Sequence, residues 1–367
     1  MKQRPTILLN PGPVTLTQRV RNSLMLEDMC HREADFAALM LEIKSRLASV
    51  YAEAEKTFEA VTVTGSGTCA VEAMIDSFSS REQTTLVLSN GVYGERIAAM
   101  LASHGRPFRE LRADWRDPIE LVRAREALAY DPGVRQVVAV HNETTSGRLN
   151  DLTPLLDLCA EFEVDLMLDA VSSFGAEWID FSHPRLMAVA ATGNKCLHGI
   201  VGIAFVMVRK TLFEKRSSNS DGLYLDLFRY QAAQTEGYSP YTPAVHACFA
   251  LREALLELED QGGWQARRQR YSQLSEQVRN KLSALDVPTF LEADVYSSMI
   301  SSFKLPKGWD YPGIHDALRS SGFVIYAGQG DLYREMFRIC TMGDIQDGDM
   351  ARLLVVMEEL ICGRSGQ

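Results

Sequence analysis

The chain has 367 residues, 46% of them apolar, and a formal net charge of −10. That length and apolar share suit a globular protein with large cores and exclude a disordered chain. The acidic balance disfavours a broad nucleic-acid-binding face but not a local cationic pocket, and no apolar run reaches the roughly 18 residues of a membrane span.

Residues 8–15, LLNPGPVT, contain Pro11, Gly12 and Pro13, which forbid a helix and predict an extended, turning arm: an ordinary lead-in or an arm reaching over an active site. The apolar part of this N-terminus is too short, and meets proline too soon, for a secretory signal. Across 25–50, Phe36, Leu39, Met40, Ile43 and Leu47 recur at helical spacing among charges and predict a surface helix. A strand over 59–63 then runs into Gly65-Ser66-Gly67-Thr68 and an amphipathic helix. Strand, glycine-rich turn and helix form a phosphate cradle, with free amides and the helix dipole facing the anion and the Ser66 and Thr68 hydroxyls beside them. No Gly-Lys-Ser/Thr follows, so it is not a nucleotide P-loop. A plain N-capped helix reads the same way.

A strand over 85–89 leads to Asn90-Gly91-Val92-Tyr93-Gly94, where Tyr93 is either a turn residue or a ring set to stack on a flat ligand. A strand over 137–140 ends in His141-Asn142-Glu143-Thr144-Thr145-Ser146-Gly147. A histidine beside a carboxylate suggests acid–base work, but one that follows an apolar run reads better as a half-buried ring. Thr144 and Thr145 are the better ligand contacts.

The stretch 164–208 organises the chain. Three short apolar runs, 164–168, 186–191 and 200–208, read as buried strands of an α/β sheet. Asp169 closes the first and Lys195 follows the second, so a carboxylate and an amine stand at the strand ends where ligands collect in open α/β sheets. An amine that bonds an aldehyde and a carboxylate that keeps a pyridinium protonated would serve pyridoxal phosphate; a turn-capping aspartate and a solvated lysine give the same pattern. The segment 209–234 is polar. Tyr241-Thr242-Pro243 then precedes a helix over 244–258, with Thr242 as N-cap and Pro243 at N1. After Gly262-Gly263 the helix resumes over 267–285. From about 286 a β–α–β–β–α pattern (296–303, 311–321, 323–327, 337–339, 347–362) predicts a small α+β unit. Seven scattered cysteines without C-x-x-C read as thiols of a reduced, intracellular protein, and no H-x-x-x-H spacing marks a zinc site.

In order and spacing, over nearly the whole chain, LLNPGPVT, TGSGTCAVEA, SNGVYGER, VHNETTSG, LDAVSSFGA, GNKCLHGIVGIAFV, LYLDL, YTP, GFVIYAG and FRICTMG resemble the class V branch of the fold-type I pyridoxal phosphate enzymes. Within that branch they are most similar to the transaminases that exchange an amino group between an aminophosphonate and pyruvate; transaminases using glyoxylate, and lyases of the same branch, are the alternative. The resemblance implies pyridoxal 5'-phosphate as cofactor and an α/β fold. It implies an N-terminal arm (1–15), a large cofactor-binding domain (16–265) with a mostly parallel seven-stranded sheet sandwiched by helices, and a small C-terminal α+β domain (266–367). It also implies a cytoplasmic homodimer with shared active sites. Its substrates are small molecules, an aminophosphonate and pyruvate or alanine, with no nucleic acid, membrane or metal involved.

Carried over by position, Lys195 is the Schiff-base lysine and proton shuttle, and Asp169 pairs with the pyridine nitrogen. Ser66, Gly67 and Thr68, with Asn194, hold the phosphate. Thr242 and Tyr241 reach the phosphate of the neighbouring subunit's cofactor, Tyr93 stacks on the ring and Thr145 lies near its 3-hydroxyl. Arg338 forks onto the carboxylate of pyruvate or alanine; an ion pair with Glu335 is its structural alternative. The chain departs from the pattern at Ala327, Gln329 and Cys340, where proline, lysine and glycine are expected. The missing lysine removes one cation that would sit near a phosphonate.

Overall fold

The structure, a computed structural model, describes residues 6–364. The N-terminal arm opens with β1 (Ile7–Leu8) and leads to a short helix α1 (Gln18–Ser23), whose N-cap Thr17 accepts a hydrogen bond from the Val20 amide. Helix α2 (Ala34–Ser49) is the one expected over 25–50, but it begins nine residues later. Nor is it a surface helix in the simple sense: Phe36, Met40, Ile43 and Leu47 are buried in the main core and only the charged face meets solvent.

The chain continues through α3 (Ala54–Thr57), β2 (Phe58–Gly65), α4 (Gly67–Phe78), β3 (Thr84–Ser89), α5 (Val92–Ser103), β4 (Phe108–Arg112), α6 (Leu121–Tyr130) and β5 (Val134–Val140). A two-residue ribbon, β6 (Asn142–Glu143) and β7 (Arg148–Leu149), precedes α7 (Leu152–Glu161), β8 (Asp165–Asp169), β9 (Leu186–Thr192) and β10 (Gly202–Arg209). The main sheet has seven strands in the order β2-β10-β9-β8-β5-β3-β4. Five neighbours, β9 to β4, pair in parallel, and β10 runs antiparallel to both β9 and β2. This is the mostly parallel seven-stranded sheet that the resemblance implied.

Helices cover both faces. Phe36, Ile43, Leu155, Phe205 and Leu251 belong to the core on one side, and Met74, Ile97, Val138, Met167 and Val206 to the core on the other. Burial on both faces is why β8, β9 and β10 read as continuous apolar runs. Strand β4, sequence FRELR, carries no such run because it is an edge, and its charges discourage pairing with another chain. The opposite edge, β2, is closed by a side chain: Gln234 accepts from the Thr62 amide at 3.0 Å and donates to the Thr62 carbonyl at 2.7 Å.

Residues 209–234, expected to be merely polar, contain the helices α8 (Thr211–Lys215) and α9 (Leu227–Gln234). Helix α10 (Val245–Asp260) starts one residue beyond the expected 244, and its cap lies two residues beyond the expected one. Its N-cap is Ala244, whose amide is held by Thr64 Oγ1 at 3.2 Å, so Thr242 caps nothing. The Gly262–Gly263 pair, both at positive φ, turns the chain into α11 (Gly263–Ala284).

The remainder folds as β11 (Ile300–Lys304), α12 (Tyr311–Ser320), β12 (Phe323–Val324), β13 (Tyr326–Ala327), β14 (Met336–Cys340) and α13 (Asp347–Arg364). The strand expected over 296–303 is shorter and the one over 323–327 is broken at Ile325, but the order of elements is as read. The arm is stitched to this part: β1 pairs in parallel with β12, and the Cys340 amide donates to the Leu9 carbonyl. Ile7 and Leu9 share a core with Phe303, Phe323, Phe337 and Met357. Among the described residues no helix is long and apolar enough to cross a membrane.

Candidate active site

Strands β2, β3, β5, β8 and β9 point the same way, so the segments after each of them meet at one edge of the sheet. Asp169 is the last residue of β8. Its carboxylate accepts from the Val171 amide at 2.9 Å, and burial pushes its pKa up to about 6 against the opposing pull of the Lys195 and Arg96 charges. It faces a cleft shared with Thr68, Tyr93, Arg96 and Val171.

The N-terminus of α4 opens beside this cleft. Ser66 is the N-cap but its hydroxyl makes no capping bond, and the first intrahelical bond is that of the Cys69 amide. Among the described residues nothing accepts from the Gly67 and Thr68 amides, which leaves them directed at whatever anion arrives. Gly67 is required by space: a Cβ there would lie 2.5 Å from Val171 Cγ1, so a side chain would push the helix terminus off the segment that follows Asp169. Arg96 supplies a cation next to the cradle, with Nη1 3.5 Å from Thr68 Oγ1 and its guanidinium carbon 4.8 Å from the centre of the Tyr93 ring. Reading the residues missed Arg96; its position one helical turn beyond Tyr93 is the signal that could have found it. Tyr93 itself is in the first turn of α5, not in a loop between glycines. Asn194, after β9, accepts from Thr192 Oγ1 at 2.7 Å.

Lys195 follows on the same turn. Its Nζ donates to the Pro11 carbonyl, so the N-terminal arm does reach over the site. Gly12 lies against the lysine stem: at φ 114° it adopts a backbone that favours glycine, and a Cβ would sit 2.7–2.8 Å from Cδ, Cε and Nζ.

After β5, Thr145 donates through its hydroxyl to Glu143 at 2.6 Å and lies 3.2 Å from the side-chain oxygen of Gln329. His141 is wholly buried, with Nδ1 unpartnered and its pKa pushed down by burial to about 3, which takes it out of acid–base range at neutral pH. Thr144, the other expected ligand contact, is wholly buried. Its hydroxyl is buried and unpartnered, and what it contributes is its carbonyl, to Arg338.

Arg338, on β14, is buried. Nε donates to the Ala327 carbonyl at 2.9 Å and Nη1 to the Thr144 carbonyl. Its structural alternative is excluded, because Glu335 pairs with Arg116 at 2.6 Å instead. Tyr241 and Thr242 do not join the cleft of their own chain: the Tyr241 hydroxyl donates to the Leu223 carbonyl at 2.6 Å, its ring packs with Tyr224 and Tyr230, and Thr242 is exposed. Among the described residues no group of His, Cys, Asp and Glu could hold a metal, and all seven cysteines are free thiols. A cavity lined by Thr17, His198, Arg267 and Asp347 contains none of the candidate residues.

A buried carboxylate and an amine at neighbouring strand ends, an uncapped helix N-terminus and an aromatic ring beside them fit the class of enzymes whose cofactor carries a pyridine nitrogen, an aldehyde and a phosphate. The chain belongs to the aminotransferase class-V family, whose profile matches residues 18–332. Its cofactor is pyridoxal phosphate, and the glycine-tight cradle at Gly67 and the buried Asp169 carboxylate fit that group.

The chain is similar to the 2-aminoethylphosphonate–pyruvate transaminase of Pseudomonas aeruginosa, 32% identical over 362 residues, 98% of this chain and 97% of that one. It is similar also to that of Pseudomonas putida, 33% identical with 96% of each chain covered. Among solved structures it is similar to an aspartate aminotransferase from Thermus thermophilus (TM-score 0.87, 25% identity, 97% of this chain and 99% of that one). The pyridoxamine–pyruvate aminotransferase of Mesorhizobium loti shares the fold (TM-score 0.90, 21% identity, 100% of this chain and 94% of that one).

Proposed function

We propose that the protein moves the amino group between 2-aminoethylphosphonate and pyruvate, giving phosphonoacetaldehyde and L-alanine. The observation that carries this reading is Arg338: a buried guanidinium fixed by two backbone carbonyls, with no carboxylate within 4 Å among the described residues, standing over the segment that holds Thr145. A buried cation with no carboxylate in direct contact, and only Glu143 acting on it from beyond 4 Å, favours an anionic ligand. The full-length likeness to transaminases of that name supports the donor.

Bound pyridoxal phosphate supplies a ring that accepts electrons while an amino group passes between two carbon skeletons. The chain's residues do the rest. Lys195 Nζ would bond the cofactor and carry the proton, and Asp169 would hold the pyridine nitrogen in its charged form. Ser66, Gly67, Thr68 and Asn194 would hold the phosphate, with Tyr93 on the ring and Thr145 toward its 3-hydroxyl. Arg338 anchors the phosphonate of one substrate and the carboxylate of the other in turn, since each offers paired oxygens to its planar fork. Gln329 brings a neutral amide to this neighbourhood, so one cation serves both acids.

The test is a pair of half-reactions, with 2-aminoethylphosphonate and with pyruvate. Arg338→Lys should lower kcat/KM at least about tenfold in both, the loss of a charge-assisted contact. A loss with pyruvate alone overturns the shared anchor. Turnover with glyoxylate but none with the phosphonate favours the other class V reading.

The arm, large and small domains divide at 15 and 265, with α11 continuous across the second boundary, and the protein works in the cytoplasm as a homodimer. Leu223 and Tyr224, 62% and 44% exposed, stand beside Tyr241 and Thr242 as a surface a second copy would cover. That copy brings Tyr241 and Thr242 to its neighbour's phosphate. Sedimentation should find a dimer; a fully active monomer contradicts this arrangement.

A further inference from the structure

We propose that Glu143 is a positioning residue that fixes Tyr93 and Thr145 on the cofactor by capping α5 from the end of a different strand. This rests on the reading of Tyr93 and Thr145 given above.

A helix leaves its first amides without intrahelical partners. In α5 the N-cap is Gly91, which has no side chain to offer. The amides of its first turn are instead met from the segment after β5. Val92 N–H donates to Thr145 Oγ1 at 3.0 Å, and Tyr93 N–H and Gly94 N–H donate to one oxygen of Glu143 at 3.2 and 3.3 Å. The other oxygen of Glu143 accepts from the Thr145 hydroxyl at 2.6 Å and from the Thr145 amide at 3.1 Å. One carboxylate therefore holds Thr145 through two bonds, and Tyr93 through its amide and that of the next residue, Gly94.

Nothing about this carboxylate is accidental to packing. It is 0% exposed, and among the described residues no cation pairs with it. A buried carboxylate without a cation is costly and persists where its donors are fixed. Gly91 makes room for it: a Cβ there would lie 2.3 Å from Glu143 Cγ and Cδ. The charged groups that face it are Asp169 from β8 and Arg338 from β14; burial, aided by Asp169, raises its pKa to about 7 against the bonds from Thr145 and Gly94. The neighbouring helix α4 differs in the one respect that matters. Its N-terminus is uncapped. With a protein carboxylate filling the α5 terminus, the α4 terminus is, of these two, the one left for a phosphate.

The test is Glu143→Gln, prepared as apoprotein and titrated with pyridoxal phosphate by visible absorbance, beside melting of the same apoprotein. Glutamine offers one acceptor oxygen where the network needs two, and turns an amide donor toward existing donors. The expected result is a pyridoxal phosphate Kd raised at least about tenfold with the apoprotein's Tm within a few degrees of the parent's. Glu143→Asp, which keeps the charge but not the reach, should fail to restore the affinity. An unchanged Kd in Glu143→Gln overturns the proposal. Tyr93→Ala and Thr145→Ala separate this from a failure of the site reading: if they too leave the Kd unchanged, the reading has failed, whereas weakened binding in them alone condemns only the role of Glu143. If Glu143→Gln does not fold, hydrogen exchange of the parent decides. The Tyr93 and Gly94 amides should exchange as slowly as those in the middle of α5; rapid exchange, as at an ordinary helix start, refutes the cap.

Discussion

Lys195→Ala is expected to lower kcat by at least about 10³-fold while leaving the fold intact. In the proposed reaction the side chain would supply both the amine that bonds the cofactor and the carrier for the proton, and losing a positioned proton carrier alone removes roughly 10²–10⁴ of rate. The structural loss is small by comparison: one hydrogen bond to the Pro11 carbonyl, worth about 1 kcal/mol, at a half-buried position. Lys195→Arg sharpens the test. Arginine keeps the charge and a donor for Pro11, but its guanidinium does not give up a proton in a protein. If the lysine merely tethered the arm, the arginine variant would retain activity; if it is the nucleophile, both variants are inactive and melt near the parent. Near-normal steady-state turnover in either would falsify the assignment.

Asp169→Asn should produce opposite effects on activity and stability. Activity falls because asparagine cannot neutralise a protonated pyridine nitrogen; a decrease of at least about a hundredfold in kcat matches the removal of one preorganised electrostatic partner. Apoprotein stability should rise. The Asp169 carboxyl has its pKa raised from 3.8 to about 6 by burial, so the folded state holds the proton more tightly than the unfolded chain. The stability this lends is complete below 3.8 and is lost as pH rises through about 6, leaving an ionised, buried carboxylate at pH 8. A rise of about two pH units corresponds to roughly 3 kcal/mol. Asparagine keeps an acceptor for the Val171 amide and has no charge to bury, so the variant apoprotein should be the more stable at pH 8 and should lose the Asp169 share of the pH dependence between about 4 and 6. Glu143, raised from 4.5 to about 7, adds a second window of the same sign that persists in the variant. An Asp169→Asn apoprotein with the parent's pH profile of stability would show that this carboxyl is not buried as described.

Much of the fold was legible because burial leaves a local trace. Strands covered on both faces are apolar throughout, which marked β8, β9 and β10 and placed Asp169 and Lys195 at their ends. Strand β4 left no trace because an edge strand shows charges to solvent. The start of α5 went unread and the cap of α10 was misread for a related reason. Gly91 and Thr242 have the sequence of a turn and of an N-cap, but the amides at these helix starts are met by Thr145 and Glu143 and by Thr64, from distant parts of the chain.

The residue types of the site, its strand–glycine–helix cradle and the order of elements follow from the amino-acid sequence, since each is a property of a few consecutive residues and their preferred backbone. The geometry of the site does not. The Pro11 carbonyl meets Lys195 across 184 residues, the Thr144 carbonyl meets Arg338 across 194, and Glu143 meets Tyr93 across 50. These contacts exist because the sheet places β3, β5, β8 and β9 side by side and the arm crosses from β12 to the lysine turn. Periodicity records which face of an element is buried; which element it is buried against is decided only when all the faces are satisfied together.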